Sequence, residues 1–339
     1  MRPFSYHRAS DLADAIGAAG KSPSGVPPTL ARVQFLAGGT TILDLMKLDV
    51  MRPEVLVDIK DVTPASRRIE HRGDSFYLGG FATMAEAADH PEIKRNYPII
   101  AQSLTFAASP QLRNMATLGG NVLQRTRCSY FRDTSWSACN KRAPGSGCAA
   151  LDGVNRKHAV LGVSDRCIAT YPGDFAQALV ALDGVAEIAG PGGGRVVPVE
   201  TLHREPGEAP HIETNLQPGE VIVGFHVPVA AWTRRSLYLK IRDRDSYEFA
   251  LSSAAVVLDL SDGKINRARI ALGGVATKPW RSREAEAALN GKSLDEALAN
   301  RAAEAAFAAA RPRGDSAYKV ELGKRTLVRA LLQAGQITT

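Results

Sequence analysis

Apolar positions recur at helical spacing near the N-terminus. Leu12, Ala15, Ile16 and Ala19 fall on one face of residues 10–20, with Ser10 placed to cap and Gly20 to stop the helix. Residues 21–29 hold three prolines and read as a surface loop. The run 33–37 (Val-Gln-Phe-Leu-Ala) predicts a buried strand. It leads into Gly38-Gly39-Thr40-Thr41, a helix over 42–48, a break at Pro53 and a second strand over 55–59. A strand over 76–80 ends in Gly79-Gly80. Helices follow over 83–90, with Met84, Ala87 and Ala88 inward, and over 98–107. Residues 111–116 then lead to Thr117-Leu118-Gly119-Gly120-Asn121, which repeats the Gly-Gly turn.

Between this turn and residue 167 the periodicity disappears. It resumes with a helix over 175–182 behind Gly173-Asp174, then strand-like runs at 185–189, 196–199 and 221–227. Residues 228–234 read as a junction. Strands over 237–241, 254–260 and 265–272 follow, the last two joined by Asp262-Gly263, a strong hairpin signal. An Ala-rich helix over 294–310 and an amphipathic one over 318–332 close the chain. The pattern predicts an α+β protein whose last third is a small antiparallel sheet packed by helices.

The two glycine pairs carry a chemical reading. Glycines let a backbone pack against a ligand, and a helix start offers unpaired N–H groups to an anion such as a pyrophosphate. Thr40 and Thr41 add hydroxyl donors. A plain strand–helix turn explains one such pair as well; two in one chain are more informative. Neither matches G-x-G-x-x-G or the Walker pattern, so a Rossmann or P-loop site is not supported.

All four cysteines, Cys128, Cys139, Cys148 and Cys167, lie within 40 consecutive positions in the aperiodic stretch, spaced C-x10-C-x8-C-x18-C. So long a loop inside a globular chain is uncommon unless it is functional. Three readings stay open. Disulfides have little use in a large chain with ample core and no apparent signal peptide. Zinc usually takes paired C-x2-4-C ligands, absent here. An iron–sulfur cluster held by four thiolates is the third. Charge bears on this choice: residues 125–167 hold eight basic against three acidic side chains, a large share of the chain's net +7. Cations beside an anionic cluster fit that excess. No basic helix or stacking platform accompanies it, so nucleic acid is not expected.

Composition adds bounds only. With 339 residues, 45% hydrophobic and 23% charged, the chain suits a globular protein of two or three domains. Its apolar runs are too short for membrane insertion. Residues 1–6 show no apolar h-region, so no signal peptide is expected on this chain. It is expected either in the cytoplasm or in the periplasm, exported folded with a signal-bearing partner. The seven histidines are scattered, with no H-E-x-x-H and no legible triad, and no general acid or base is expected.

Residues 119–128 (Gly-Gly-Asn-Val-Leu-Gln-Arg-Thr-Arg-Cys), 139–142 (Cys-Asn-Lys-Arg) and 144–148 (Pro-Gly-Ser-Gly-Cys) resemble the FAD-binding subunit of bacterial molybdenum-dependent, periplasmic-type aldehyde oxidoreductases. So do 37–46, 240–244 and 271–276. The resemblance covers essentially the whole chain and extends more broadly to the xanthine dehydrogenase family. It implies a two-subdomain FAD-binding fold of the PCMH/vanillyl-alcohol-oxidase type plus a C-terminal antiparallel sheet with helices. The expected parts are 1–58, 59–230 with a Cys-rich insert at 122–170, and 231–339.

By the same resemblance, Leu36, Ala37, Gly38, Gly39, Thr40, Thr41, Ile42 and Leu43 cradle FAD, and Thr117, Gly119, Gly120 and Asn121 complete its site. Asp133 resembles a cofactor-contacting acid, with Asp174 as rival; a helix N-cap explains Asp174 equally well. Ile222 and Lys240 match positions near the flavin. Cys128, Cys139, Cys148 and Cys167 would ligate a [4Fe-4S] cluster. Tyr130, Phe131 and Trp136 would shield it or meet a partner, and the surrounding basic residues would stabilise its reduced state.

The implied function is electron transfer. A large molybdenum-cofactor subunit oxidises an aldehyde with water to a carboxylic acid, and a small subunit carries two [2Fe-2S] clusters. FAD on this chain passes the electrons to an external acceptor. The alternatives are a stand-alone FAD-dependent oxidoreductase of the same fold and a zinc-stabilised binding module.

Overall fold

The computed structural model describes residues 1–20 and 26–338, so residues 21–25 of the expected proline-rich loop lie outside the described residues. Three sheets follow one another along the chain. The first is parallel and contains β1 (Ser5–Arg8), β2 (Val33–Leu36) and β3 (Val55–Asp58), in the order β1-β3-β2. Helix Leu12–Ala19 links β1 to β2, and helix Ile42–Lys47 links β2 to β3. Asp11, not Ser10, caps the first helix: its carboxylate accepts from Asp14 N at 2.8 Å, while Ser10 N itself donates to Asp14. β1 has no signature in the pattern because Ser-Tyr-His-Arg is an edge strand exposed along most of its length.

The second sheet is antiparallel and contains β4 (Ile69–Arg72), β5 (Ser75–Gly79), β6 (Val185–Gly190), β7 (Gly193–Pro198) and β8 (Val221–Pro228). Its order is β4-β5-β8-β6-β7. β8 is central and almost wholly buried, which explains its unbroken apolar run. β4, a polar edge strand, is not legible in the sequence. β6 and β7 form a hairpin whose second strand begins earlier than position 196, at Gly193, where φ is +99°. Helices Pro98–Thr105 and Phe175–Ala181 cover the sheet; Phe76, Leu78, Ile99, Leu104, Phe175, Leu179 and Phe225 are buried there.

The third sheet, also antiparallel, runs β12-β11-β10-β9, from β9 (Ser236–Ile241), β10 (Ser252–Ser261), β11 (Lys264–Gly273) and β12 (Trp280–Arg281). The β10–β11 turn has Asp262 at φ +51° and Gly263 at +74°, the paired left-handed residues that a tight hairpin requires. Helices Arg283–Leu289, Glu296–Phe307 and Tyr318–Gly335 pack on this sheet over a core that includes Val256, Ile270, Leu298 and Leu331.

Two glycines calibrate this packing. A methyl group at Gly323 would overlap the Phe307 ring, whereas one at Gly17, on an exposed helix position, would meet nothing within 4 Å. Gly323→Ala is expected to destabilise by about 1–3 kcal/mol. Gly17→Ala is expected to stabilise by roughly 0.5–1 kcal/mol. Urea unfolding midpoints of the two variants check both signs.

Candidate functional site

The two Gly-Gly turns are built into each other. Gly38 lies so close to the Met115–Ala116 backbone that a Cβ on it would penetrate the Met115 carbonyl. Gly80 also approaches backbone closely: a Cβ on it would lie 2.4 Å from the Ile222 carbonyl oxygen. The second turn is stitched on by hydrogen bonds from Leu118 N to Ala82 O (2.9 Å), Gly119 N to Gly80 O (2.8 Å) and Met84 N to Ala116 O (2.9 Å). Gly39 takes φ +75°, which turns the chain from β2 into the next helix. Thr117 caps the short helix Leu118–Val122 by accepting from Gly120 N at 3.2 Å. The N–H groups of Gly39, Thr40 and Thr41 have no acceptor among the described residues, the condition in which a backbone turn can hold an anion.

Between these turns lies a cavity of about 570 Å³, within the usual size of cofactor sites. Ala37, Gly38, Gly39, Thr40, Thr41 and Ile42 line it from the first turn; Thr117, Gly119, Gly120 and Ile222 line it from the other side. Five expected residues sit behind this wall or away from it. Leu36 and Leu43 pack into the apolar cluster beneath the first turn. Asn121 is buried, its amide donating to Met84 Sδ at 3.3 Å and its Oδ1 without a partner among the described residues. Lys240 is buried against Asp174 at 2.7 Å, and Asp174 also accepts from Tyr238 Oη at 2.6 Å. Asp174 stands at the N-cap position of helix Phe175–Ala181 yet makes no capping bond, because its carboxylate is committed to Lys240 and Tyr238. Asp133 also lies away from the cavity: it is exposed, its carboxylate accepts from Ser135 N and Oγ, and the helical turn Ser129–Arg132 carries it to the surface.

Several cavity residues lie outside the expected site set. Glu213 accepts from Arg125 Nε at 2.5 Å and from Lys141 Nζ at 3.0 Å, and Lys141 also donates to Pro210 O. Burial pushes the Glu213 carboxyl up, but the charges of Arg125 and Lys141 outweigh it and hold the group at about 2. Arg125 is 7% exposed, lies over the Phe131 ring, and leaves Nη1 without a partner among the described residues. His203, also on the cavity wall, contacts Val122 O at 3.0 Å; burial lowers it to about 4, so it is neutral at pH 7.

The four cysteines converge on a second, much smaller cavity, together with Tyr130, Phe131, Asn140, Lys141 and Arg166. The loop is irregular but pinned. Cys139 and Cys148 face each other across a β-bridge, and Asn140 Oδ1 accepts from Gly145 N and Gly147 N at 3.1 and 3.0 Å. All four thiols are free. Burial pushes Cys128 up to about 12. A hydrogen bond between Cys148 and Cys167 raises the second thiol further. His158 Nε2 lies 3.2 Å from Cys128 Sγ. Among the described residues, no three of His, Cys, Asp and Glu converge tightly enough to hold a single metal ion. Tyr130 and Phe131 are buried against the thiols, while Trp136 is 49% exposed with its ring edge-on to Tyr130.

The basic excess of this segment is not a ring around the thiols. Six of its eight cations pair with Asp44, Glu208, Glu213, Asp243 or Glu248, all from outside the segment. Arg142 instead donates to the carbonyls of Tyr130 (2.7 Å) and Phe131 (2.9 Å), fixing the loop. The two cavities share a wall: Lys141 and Ala169 line both.

The chain is similar to known proteins along nearly its whole length. Residues 2–230 match the FAD binding domain in molybdopterin dehydrogenase, and residues 237–334 match the CO dehydrogenase flavoprotein C-terminal domain. The chain is 42% identical to the aldehyde oxidoreductase FAD-binding subunit PaoB of Escherichia coli, over 98% of this chain and 99% of that protein. It is 27% identical to the carbon monoxide dehydrogenase medium chain of Afipia carboxidovorans, over 98% and 96% of the two chains. Among solved structures it matches carbon monoxide dehydrogenase from Hydrogenophaga pseudoflava with a TM-score of 0.75 at 27% identity, covering 98% of this chain and 97% of that one.

Proposed function

The chain belongs to the family of FAD-binding subunits of molybdenum-dependent dehydrogenases, and on that premise we propose that it is the electron-transfer subunit of an aldehyde oxidoreductase, carrying FAD and a [4Fe-4S] cluster. The observation that carries the reading is the pair of adjoining cavities, one walled by both Gly-Gly turns and the other by all four cysteines. The catalytic partners in this reading are a large molybdenum-cofactor subunit and a small subunit with two [2Fe-2S] clusters. An external acceptor takes the electrons. Residues 1–58 and 59–230 are the two halves of the flavin site in this reading, and 231–339 form the C-terminal domain.

The residues present fit both groups. The first cavity offers unpartnered backbone N–H groups, two close backbone approaches that exclude side chains, and an unpartnered guanidinium nitrogen on Arg125. These suit an anionic dinucleotide cofactor. Bound there, FAD would accept electrons from iron–sulfur centres and release them to the acceptor. The Thr40–Thr41 turn and the Thr117–Gly120 turn bind and orient it, and His203 stays neutral on the wall. For the cluster, Cys128, Cys139, Cys148 and Cys167 are the ligands. Four free thiols around one cavity are a donor set that suits an iron–sulfur cluster.

Purified protein tests the reading. Flavin absorption with roughly four irons and four sulfides per chain is the expected result. Cys139→Ser is expected to lose the iron; full iron in that variant removes Cys139 from the ligand set. Zinc without flavin would point to a binding module. Aldehyde turnover by the chain alone, without molybdenum, would favour a stand-alone flavoenzyme.

A further inference from the structure

Arg125, Glu213 and Lys141 form a triad on the wall of the larger cavity, and Lys141 also lines the smaller one. Arg125 and Lys141 are 7% and 9% exposed. Glu213 is the only carboxylate paired with either cation among the described residues, so the group holds one uncompensated positive charge. A dehydrated cation is costly unless something answers it. The orientation shows where the answer must come from. Arg125 lines the larger cavity and has a free donor, Nη1; Lys141 lines both cavities, and no other charged side chain is common to the two walls. The occupants proposed above are both anionic, a dinucleotide and a thiolate-bound cluster. One buried cation thus lines both of the cavities proposed to hold anionic redox centres.

Resting on that two-cofactor reading, we propose that Lys141 is a positioning and tuning residue common to both centres, held between them by Glu213, and that its charge raises the reduction potential of each. Reduction adds negative charge to a centre, and a fixed cation beside it stabilises the reduced form. Water cannot screen the interaction well inside the protein. Arg125 is the companion on the flavin side alone, its Nη1 donating to the bound dinucleotide.

The test uses the assembled complex. Wild-type, Lys141→Met and Lys141→Arg proteins are titrated reductively, following flavin absorbance and the EPR signal of the reduced cluster. Lys141→Met is expected to move both midpoint potentials to more negative values, and Lys141→Arg to hold them near wild type. Unshifted potentials in a Lys141→Met protein with full flavin and iron overturn the assignment, as does a shift confined to one centre. A second variant, Lys141→Met with Glu213→Gln, keeps the wild-type net charge but leaves it all on Arg125. It is expected to lower the cluster potential while the flavin potential recovers; a cluster potential equal to wild type overturns the proposal. Wild-type protein without iron would remove the two-cofactor reading itself, a different failure, visible before any variant is made.

Discussion

Gly38→Ala is expected to yield protein that folds but comes off the column without flavin. The added methyl would sit inside the Met115 carbonyl, and all three nearest atoms are backbone, so no side-chain rotation relieves the overlap. The turn must move away from the Met115–Ala116 segment, and that segment leads directly into Thr117 and the second turn. One methyl group therefore opens the seam between the two halves of the cavity. The local cost is about 1–3 kcal/mol or more, as for overpacking a tight interior. In the proposed placement the flavin loses much more, because a site between the turns requires both at a fixed separation. Gly39→Ala is the milder control. Its penalty comes mainly from φ +75° and costs roughly 1–2 kcal/mol. The 450 nm absorbance per chain after gel filtration separates the two variants. Full flavin in Gly38→Ala protein would contradict the placement of the cofactor between the turns.

The second large effect is expected at Glu213. Glu213→Gln leaves Arg125 and Lys141 buried without their shared counter-charge, and breaking a buried pair in this way typically costs about 3–5 kcal/mol. The same carboxylate gives the wild type an acid limit. Its ordinary value is 4.5 and the folded protein holds it at about 2, so its contribution is complete above about pH 4.5 and disappears as pH falls towards 2. The difference is worth roughly 3 kcal/mol. Urea midpoints measured from pH 7 to pH 3 should fall for the wild type below about 4.5. The variant should start lower and lose less over that range. Equal midpoints at pH 7 would remove the triad as a stabilising element.

Much of the scaffold is legible before any coordinates. The strand–Gly-Gly–helix unit shows because a buried strand, a glycine pair and an amphipathic helix each leave a local signature. The same holds for the β10–β11 hairpin, where Asp262-Gly263 marks two left-handed residues. β1 and β4 leave no such mark, because edge strands of polar residues look like loops. Asp133 and Asp174 show the limit for side chains. Both are acids near the right motifs, but one local turn sends Asp133 to the surface, and packing of the third sheet against helix Phe175–Ala181 commits Asp174 to Lys240.

Charge marks the same limit. The net positive character of residues 125–167 is a real property of the sequence, yet six of its eight cations find carboxylates elsewhere in the chain. Counting along the segment cannot anticipate partners that the fold supplies from a distance.

By itself, then, the amino-acid sequence determined the order of the buried strands and principal helices, the two glycine turns and the family of the chain, because these rest on short-range patterns and on long stretches of matching residues. Only the tertiary structure decided that the turns press backbone on backbone, that four cysteines meet at one cavity, and that a single lysine stands between that cavity and the larger one. Arg125, Lys141 and Glu213 are far apart in sequence and ordinary in type. Their meaning comes from being brought together out of water, where an unmatched charge is costly and its position governs what can bind beside it.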